Sequence, residues 1–259
     1  MLNKVYNEDC LVTMAKMPEN FVDLVVTSPP YDNLRDYHGH KFGEDFPKIA
    51  TSLFRVLKPG GVLVWIVADE TVNGSETGSS FTQALYFKNL GLNLHDTMIW
   101  NKGTFTAVGS LRCRYAPVFE YMFVLSKGFP KTFNPIKDKV NKTFGRLKYG
   151  TIRLPNGRVQ LQSSQGRPIQ EFGQRHNIWD VFPEKRNTHR LHPAMFSEQI
   201  AKDHILSWSN KGDTVYDPFS GSGTTVIASL QTGRKFIASE ISAEYFLISE
   251  NRITQFLLR

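Results

Sequence analysis

The sequence predicts an α/β fold with a mostly parallel central sheet, interrupted by an irregular basic insertion. Short apolar runs with β-branched residues alternate with segments whose apolar residues recur at helical spacing. This alternation stops in residues 127–190, which are rich in Gly, Pro, Gln, Asn and Ser. With 259 residues, 41% hydrophobic and 21% charged, the chain is long enough for a core and has an ordinary globular composition, which excludes wholesale disorder.

The predicted strands are short, continuous apolar runs, as in strands that are buried on both faces of a parallel sheet. They comprise residues 23–27, 62–67, 97–100 and 121–125 before the insertion, and 214–216 and 235–239 after it. Helices are predicted at 46–57, where Lys58-Pro59-Gly60-Gly61 ends the pattern, and at 195–209 and 224–231. The polar stretch 73–80 predicts a mobile loop.

The net charge of +7 is concentrated in the insertion. Residues 127–190 hold 14 basic and four acidic side chains, a net charge of +10, which leaves −3 for the remainder. Two interpretations are open on charge alone. The segment is either a solvated, partly mobile loop region or a nucleic-acid contact surface, in which Lys and Arg meet phosphates and some polar side chains reach base edges.

A glycine-rich turn follows the predicted strand 214–216 and opens the next helix. It reads Asp217-Pro218-Phe219-Ser220-Gly221-Ser222-Gly223-Thr224-Thr225, and Glu240 ends the following strand. Glycines allow a ligand to approach backbone N–H groups, and a carboxylate at the position of Glu240 can accept both hydroxyls of a ribose. Because the turn lacks a third glycine and a phosphate-binding lysine, a nucleoside without phosphates fits it better than NAD or ATP.

A second motif, Thr27-Ser28-Pro29-Pro30-Tyr31, comes directly after the strand 23–27. Two prolines fix the chain where a parallel strand ends, which is where open α/β sheets bind ligands. The Ser28 hydroxyl and the constrained carbonyls are suited to accept hydrogen bonds from an exocyclic amino group, and Tyr31 is suited to stack on the base that carries it. Taken alone, the two prolines are also typical of a simple loop constraint.

Together the two motifs resemble the β group of amino-group DNA methyltransferases, which use S-adenosylmethionine. Ser28 to Tyr31 resemble the catalytic motif of that family, and Asp217 to Thr225 resemble its cofactor loop. Further matches lie at residues 7–10, 55–61, 119–121 with 126–128, and 192–194. The resemblance implies a Rossmann-like methyltransferase fold with a catalytic part at 1–126, a target-recognition insertion at 127–190 and a cofactor-binding part at 191–259.

The resemblance also implies roles for individual residues. The catalytic residues are Ser28, Pro29, Pro30 and Tyr31. The cofactor contacts are Asp9, Cys10, Thr27, His192, Pro193, Asp217, Phe219, Ser220, Gly221, Ser222, Gly223, Thr224, Thr225 and Glu240. The DNA contacts are Arg146, Lys148, Arg153, Arg158, Arg167 and Arg175. No metal site is expected, because His38 and His40 have no third ligand at a fitting spacing.

The implied reaction is methyl transfer to the exocyclic amine of a base that has been flipped out of the duplex. Ser-Pro-Pro-Tyr is associated mainly with cytosine N4 in this family, so cytosine N4 is favoured and adenine N6 is the alternative. Cytosine C5 methylation is not expected, because it requires a cysteine nucleophile that typically follows a proline. Cys10 follows Asp9, and Cys113 follows Arg112.

Other functions stay open at the level of sequence. They are a catalytically inert DNA-binding protein of the same fold, a nicotinamide oxidoreductase, and a methyltransferase of RNA or protein. The two cysteines exclude a disulfide framework, and the start of the chain lacks the apolar core of a signal peptide. We therefore expect a cytoplasmic protein of a bacterium or phage, associated with the nucleoid when bound to DNA, with no membrane partner. The expected partners are double-stranded DNA, a second copy of the chain and a cognate restriction endonuclease.

Overall fold

The computed structural model describes residues 1–30, 42–104, 111, 113–182 and 197–258. The chain forms two compact units: Met1–Asn134 together with Asn177–Arg259, and Pro135–His176. The smaller unit covers only part of the range 127–190 that the sequence analysis assigns to the insertion, because the described flanks 127–134 and 177–182 belong to the larger unit. In the first flank, Phe133 stacks on Trp208 with ring centroids 4.8 Å apart. Within the described ranges, no helix is long and apolar enough to span a membrane.

The strands and helices are numbered along the chain. The strands are β1 (Lys4–Tyr6), β2 (Val22–Thr27), β3 (Leu57–Val67), β4 (Thr71–Val72), β5 (Ser75–Glu76), β6 (Asn93–Asn101), β7 (Phe119–Ser126), β8 (Lys139–Val140), β9 (Thr151–Arg153), β10 (Val159–Leu161), β11 (Phe172–Gly173), β12 (Ile178–Asp180), β13 (Thr214–Asp217) and β14 (Lys235–Ser239). The helices are α1 (Cys10–Ala15), α2 (Phe42–Val56), α3 (Ser79–Asn89), α4 (Glu198–Trp208), α5 (Thr224–Gln231) and α6 (Ala243–Leu257).

An eight-stranded sheet organises the larger unit, in the order β1-β14-β13-β2-β3-β7-β6-β12. The five strands from β1 to β3 in this order are parallel to one another, whereas β7 is antiparallel to both β3 and β6. The expected α/β fold with a mostly parallel sheet is therefore confirmed. Because parallel strands end at the same edge, the residues that follow β1, β14, β13, β2 and β3 share one edge of the sheet.

Buried apolar side chains pack against the strands that lead to this edge. The strands β2 and β3 are buried along most of their length, and α2 packs on them with Phe46, Ile49, Ala50 and Leu53, the helical spacing seen in the sequence. An aromatic cluster around Trp65 extends to the edge. Phe219 packs there, with its ring centroid 6.3 Å from that of Trp65.

The polar stretch 73–80, for which the sequence predicts a mobile loop, contains a hairpin turn, the strand β5 and the start of α3, so the expectation of an irregular loop is wrong. The strands β4 and β5 form a hairpin around Asn73 and Gly74, both with positive φ, as an Asn-Gly turn favours. Ser79 and Ser80 then begin α3. The carboxylate of Asp69 accepts hydrogen bonds from the backbone N–H of Ser80 (2.8 Å) and from its hydroxyl (2.6 Å), which fixes the start of that helix.

Candidate active site

The ends of β2 and β13 are joined by a buried hydrogen bond. Thr27 Oγ1 donates to Asp217 Oδ1 over 2.6 Å, and both residues are almost completely buried. The same oxygen of Asp217 accepts the backbone N–H of Phe219 at 3.0 Å. A second link runs from α5 to β2, where Thr225 Oγ1 donates to the carbonyl of Val26 at 3.3 Å. The strand that carries the proline motif and the glycine-rich turn thus form one connected structure.

Asp217 lies in an environment that disfavours its charge. Burial raises the pKa of this carboxyl to about 6, although hydrogen bonds from Thr27 and the Phe219 backbone oppose the shift. A carboxyl with this pKa is partly protonated near neutral pH. Its role is to position the two motifs, since it contacts residues of both.

The glycine-rich turn needs glycine at two positions. Gly221 and Gly223 have φ values of 52° and 83°, in the left-handed region that favours glycine. A Cβ atom at Gly223 would also lie 2.8 Å from Ser249 Oγ on α6. The turn is tied to the sheet by a 3.0 Å hydrogen bond from the Ser220 N–H to the carbonyl of Ser239. The backbone therefore passes close to α6 and the end of β14 without a side chain at Gly223.

Glu240 is held rigidly beside this turn. Its Oε2 accepts the N–H of Gly221, and its Oε1 accepts the N–H of Ser242, both at 2.8 Å. The residue is only 9% exposed, and this burial raises the pKa of its carboxyl above the ordinary value. A carboxylate has about four lone-pair positions, so these two bonds leave the capacity to accept two further donors. The arrangement fits the two hydroxyls of a ribose.

The segment after β1 completes this edge. The N–H of Glu240 donates to the Tyr6 carbonyl at 2.9 Å, and Asn7 Nδ2 donates to the Glu240 carbonyl at 2.8 Å. Asp9 begins α1, where its side chain accepts the N–H of Leu11 at 2.7 Å. Cys10 is buried, which raises the pKa of its thiol far above the ordinary value and makes it a poor nucleophile.

The structure describes some of the remaining predicted site residues and not others. Pro29 is buried and Ser28 and Pro30 are half-buried, directly beyond the end of β2. The predicted residues Tyr31, His192 and Pro193 lie outside the described part of the chain, as do His38 and His40. Among the residues that the structure does describe, no group of three or more His, Cys, Asp or Glu side chains is arranged to hold a metal ion.

The sequence analysis did not anticipate Arg252. Its guanidinium donates to the carbonyl of Ser222 at 2.7 Å and pairs with Glu198 at 3.1 Å, so it ties the glycine-rich turn to both α6 and α4. Ser222, Thr224 and Thr225 are themselves nearly fully buried, as is Ser220. No sequence signal distinguishes Arg252 from other helix arginines, because its partners lie 30 and 54 positions away.

The smaller unit, Pro135–His176, carries a charge equal to that of the whole chain. It holds nine basic and two acidic residues, a net charge of +7, so the other residues of the chain sum to zero. Of its six predicted DNA contacts, Arg175 is paired with Asp138, and this pairing lowers the pKa of that carboxyl. Of the other five, Lys148 is half-buried, and the exposed ones are Arg146, Arg153, Arg158 and Arg167.

The fold and the site together define a class. An open, mostly parallel sheet has at its carboxyl edge a glycine-rich turn, a fixed carboxylate and a proline-constrained strand end, an arrangement suited to a nucleoside ligand and a second substrate beside it. Residues 22–251 match the N6/N4 methyltransferase family, described as DNA methylase. The chain belongs to this family and is a DNA methyltransferase of the N4/N6 class.

Individual relatives agree with this assignment. The orphan methyltransferase M.BamHII of Bacillus amyloliquefaciens is 48% identical over 92% of this chain and 90% of its own length. The DNA adenine methyltransferase YhdJ of Escherichia coli is 26% identical over 96% of this chain and 82% of its own. The solved structure of TTHA0409 from Thermus thermophilus, complexed with S-adenosyl-L-methionine, is 25% identical and superposes with a TM-score of 0.66, covering 98% of this chain and 93% of that one. The methyltransferase fold is confirmed.

Proposed function

We propose that this chain transfers a methyl group to the N4 amino group of a cytosine in double-stranded DNA. The observation that carries the proposal is the bond between Thr27 and Asp217, since it fixes the start of the Ser28-Pro29-Pro30 segment against the cofactor loop. A serine as first residue of the motif is what favours cytosine. The second candidate is adenine N6, which the similarity to the adenine methyltransferase YhdJ supports.

The cofactor is S-adenosylmethionine, and the residues at the carboxyl edge fit it. The hydroxyl of Ser220 is buried and has no hydrogen-bond partner among the described residues, which suits a polar atom of a ligand. Glu240 retains acceptor capacity for ribose hydroxyls, and Gly221 and Gly223 have no Cβ to block a close approach. Asp9, on the neighbouring segment, supplies a carboxylate for the exocyclic amine of the adenine.

When bound, this cofactor supplies an electrophilic methyl group attached to a sulfonium. The protein's task is then to position the attacking nitrogen, whose lone pair is delocalised into the base. Ser28 Oγ and the Pro29 carbonyl accept hydrogen bonds from the two N–H groups of that amine, which favours a pyramidal nitrogen with a free lone pair. Tyr31 stacks on the flipped base. No strong general base is needed, because the proton leaves after the transfer.

The target-recognition function of residues 127–190 also belongs to this proposal. It is supported by the net charge of +7 on the unit Pro135–His176 within that range. The cytoplasmic location is supported by the bacterial relatives. Association with a second copy of the chain and with a restriction endonuclease stay predictions of the sequence.

Nucleoside mass spectrometry of DNA incubated with the purified protein and S-adenosylmethionine tests the proposal. We expect N4-methylcytosine with the natural chain and none with the Ser28→Ala variant. N6-methyladenine as the product would overturn the choice of base while leaving the amino-group chemistry intact. The absence of any methylated base, in a preparation that binds the cofactor by calorimetry, would favour an inert DNA-binding protein.

A further inference from the structure

The smaller unit contains a well-formed β-hairpin. The strands β9 and β10 are antiparallel, with Ile152 opposite Gln160 and Arg153 opposite Val159. At the tip, the N–H of Leu154 donates to the Arg158 carbonyl at 2.8 Å. At the open end, the N–H of Gln162 donates to the Gly150 carbonyl at 3.1 Å. The ribbon therefore extends from 150 to 162.

The turn at the tip is also ordered. The N–H of Gly157 donates to the Leu154 carbonyl at 2.9 Å, and Gly157 has a φ of 82°. The side chain of Asn156 accepts the N–H of Arg158 at 3.1 Å. Proline, asparagine and glycine in succession are typical turn residues, each for its own steric reason. The tip thus presents Arg158 from a defined backbone.

The register divides the ribbon into two different sides. Residues directly opposite each other in an antiparallel pair point to the same side, and successive residues alternate. One side carries Arg158, Gln160 and Gln162 of the second strand, with Leu154 opposite Arg158 and Ile152 opposite Gln160. The other side carries Val159 and Leu161 together with Arg153 from the first strand.

Nothing within the unit covers either side. No residue of Pro135–His176, all of which the structure describes, is buried, and the unit has no apolar core of its own. Val159 and Leu161 remain 55% and 64% exposed. With a net charge of +7 on the unit, the partner that complements this surface is a polyanion. Duplex DNA is the polyanion whose major groove admits a two-stranded ribbon.

We propose that the β9–β10 hairpin enters the major groove and that Arg158, Gln160 and Gln162 contact base edges; this rests on the proposed function. Side chains on one side of a strand repeat every two residues, about 6.6–6.8 Å apart. Two base-pair steps of B-DNA span about the same distance, since each step rises about 3.4 Å. The three side chains therefore match every second base pair. Arginine forms paired hydrogen bonds to guanine, and glutamine forms them to adenine.

Arg153 provides the matched control. It lies on the same hairpin and has the same charge as Arg158, but on the opposite side of the ribbon. Arg153→Ala and Arg158→Ala thus remove equal charge from equivalent backbone. The first should weaken DNA binding equally for all sequences, whereas the second should change which sequences are methylated.

Base-resolved sequencing of genomic DNA methylated by each variant is the test. We expect Arg158→Ala and Gln160→Ala each to relax one position of the recognition sequence, with a roughly 5- to 150-fold loss of discrimination there. The two relaxed positions should be two base pairs apart, and Arg153→Ala should retain the natural sequence pattern.

An unchanged pattern in both Arg158→Ala and Gln160→Ala would overturn the inference, as would relaxation by Arg153→Ala to the same degree. Cofactor binding by calorimetry checks that the larger unit of each variant is folded, because the predicted cofactor residues lie in that unit. Circular dichroism compares the overall fold of each variant with that of the natural chain. If the natural chain itself methylates no DNA, the proposed function fails. If the natural chain methylates DNA and the Arg158→Ala and Gln160→Ala variants methylate the same sequences, the hairpin assignment alone fails.

Discussion

Thr27 Oγ1 donates a 2.6 Å hydrogen bond to Asp217 Oδ1, and this single bond joins two motifs that are 190 residues apart in the chain. The strands that carry the two residues are neighbours in the sheet, with Tyr216 opposite Val25. The bond is inaccessible to water, because both residues are buried. The position of the Ser28-Pro29 segment therefore depends on the glycine-rich turn, and a change on either side of the bond should affect both.

Thr27→Val removes the donor while preserving the shape of the side chain. We expect a loss of about 1–3 kcal/mol in the free energy of unfolding, because the buried Asp217 carboxyl then loses one of its two hydrogen-bond donors. The methylation rate should fall more than cofactor affinity does. Denaturant unfolding and single-turnover methylation measure these effects. Thr27→Ser, which keeps the hydroxyl, is the control; if it loses as much as Thr27→Val, the hydrogen bond is not the cause.

The raised pKa of Asp217 makes stability depend on pH. Its ordinary value is 3.8, and the folded value is about 6, so the folded state binds the proton more tightly. This contribution to stability is fully present below pH 3.8 and is lost as the pH rises through about 6. Asp217→Asn has no group that titrates at this position, so it should not lose this contribution. Between about pH 4 and pH 7, the free energy of unfolding of the natural chain should therefore fall relative to that of the variant by up to about 3 kcal/mol. Urea unfolding at several pH values measures the difference, and a constant difference would contradict a raised pKa.

Glu240→Gln tests the carboxylate that is assigned to the ribose. In the natural chain, the N–H groups of Gly221 and Ser242 each donate to an oxygen of this carboxylate. The substitution removes the charge and places an amide N–H₂ against one of these two donors. We expect affinity for S-adenosylmethionine to fall roughly 10- to 150-fold, the range for a lost hydrogen bond to a charged group. Calorimetric titration measures it. Glu244→Gln, an exposed position in the first turn of α6, is the control and should bind normally.

Two glycines separate backbone strain from steric contact. Gly223 and Gly212 have nearly the same φ, 83° and 86°, but only at Gly223 would a Cβ meet another atom, Ser249 Oγ at 2.8 Å. We expect Gly212→Ala to cost about 1 kcal/mol through strain alone, and Gly223→Ala to cost clearly more. Chemical denaturation of the two variants compares them. An equal loss of stability in the two variants would contradict a steric cost from the contact between the new Cβ and Ser249.

Much of the fold could be predicted from local pattern, and the failures have identifiable causes. The bounds of α5 and β14 agree with the apolar pattern, because both elements bury most of their residues. Helix α3 was missed because the side chains it buries include Ser80 and Gln83, which carry no hydrophobic signal. Gln83 is buried because it accepts the indole N–H of Trp65 at 2.8 Å. Such a contact depends on the tertiary fold.

The candidate site shows the same division. The glycine-rich turn and Glu240 follow strand ends, and the sequence places them there because a parallel sheet gathers its strand ends at one edge. The bond between Thr27 and Asp217 requires the strand order as well, which the sequence does not contain. Arg252 requires the packing of α6 against the loop. Local chemistry is thus visible in the sequence, whereas the contacts that align two motifs are not.

The charge of the smaller unit should determine the salt dependence of DNA binding. Replacing Arg146, Lys148, Arg153 and Arg158 by glutamine removes four of its nine basic groups. If Arg146, Lys148 and Arg153 contact phosphates while Arg158 contacts a base edge, the slope of log affinity against log salt concentration should become shallower by roughly 2 to 3, at about 0.9 per phosphate contact. Fluorescence anisotropy with a labelled duplex measures the slope at several salt concentrations.

A control with the same total charge distinguishes local contact from overall attraction. Glutamine at four exposed lysines of the larger unit, Lys48, Lys88, Lys211 and Lys235, also lowers the net charge by four. We expect this variant to retain most of the natural slope, because counterion release requires direct neutralisation of phosphates. Equal slopes in the two variants would mean that charge anywhere on the protein serves equally, and that the smaller unit is not the DNA-binding surface.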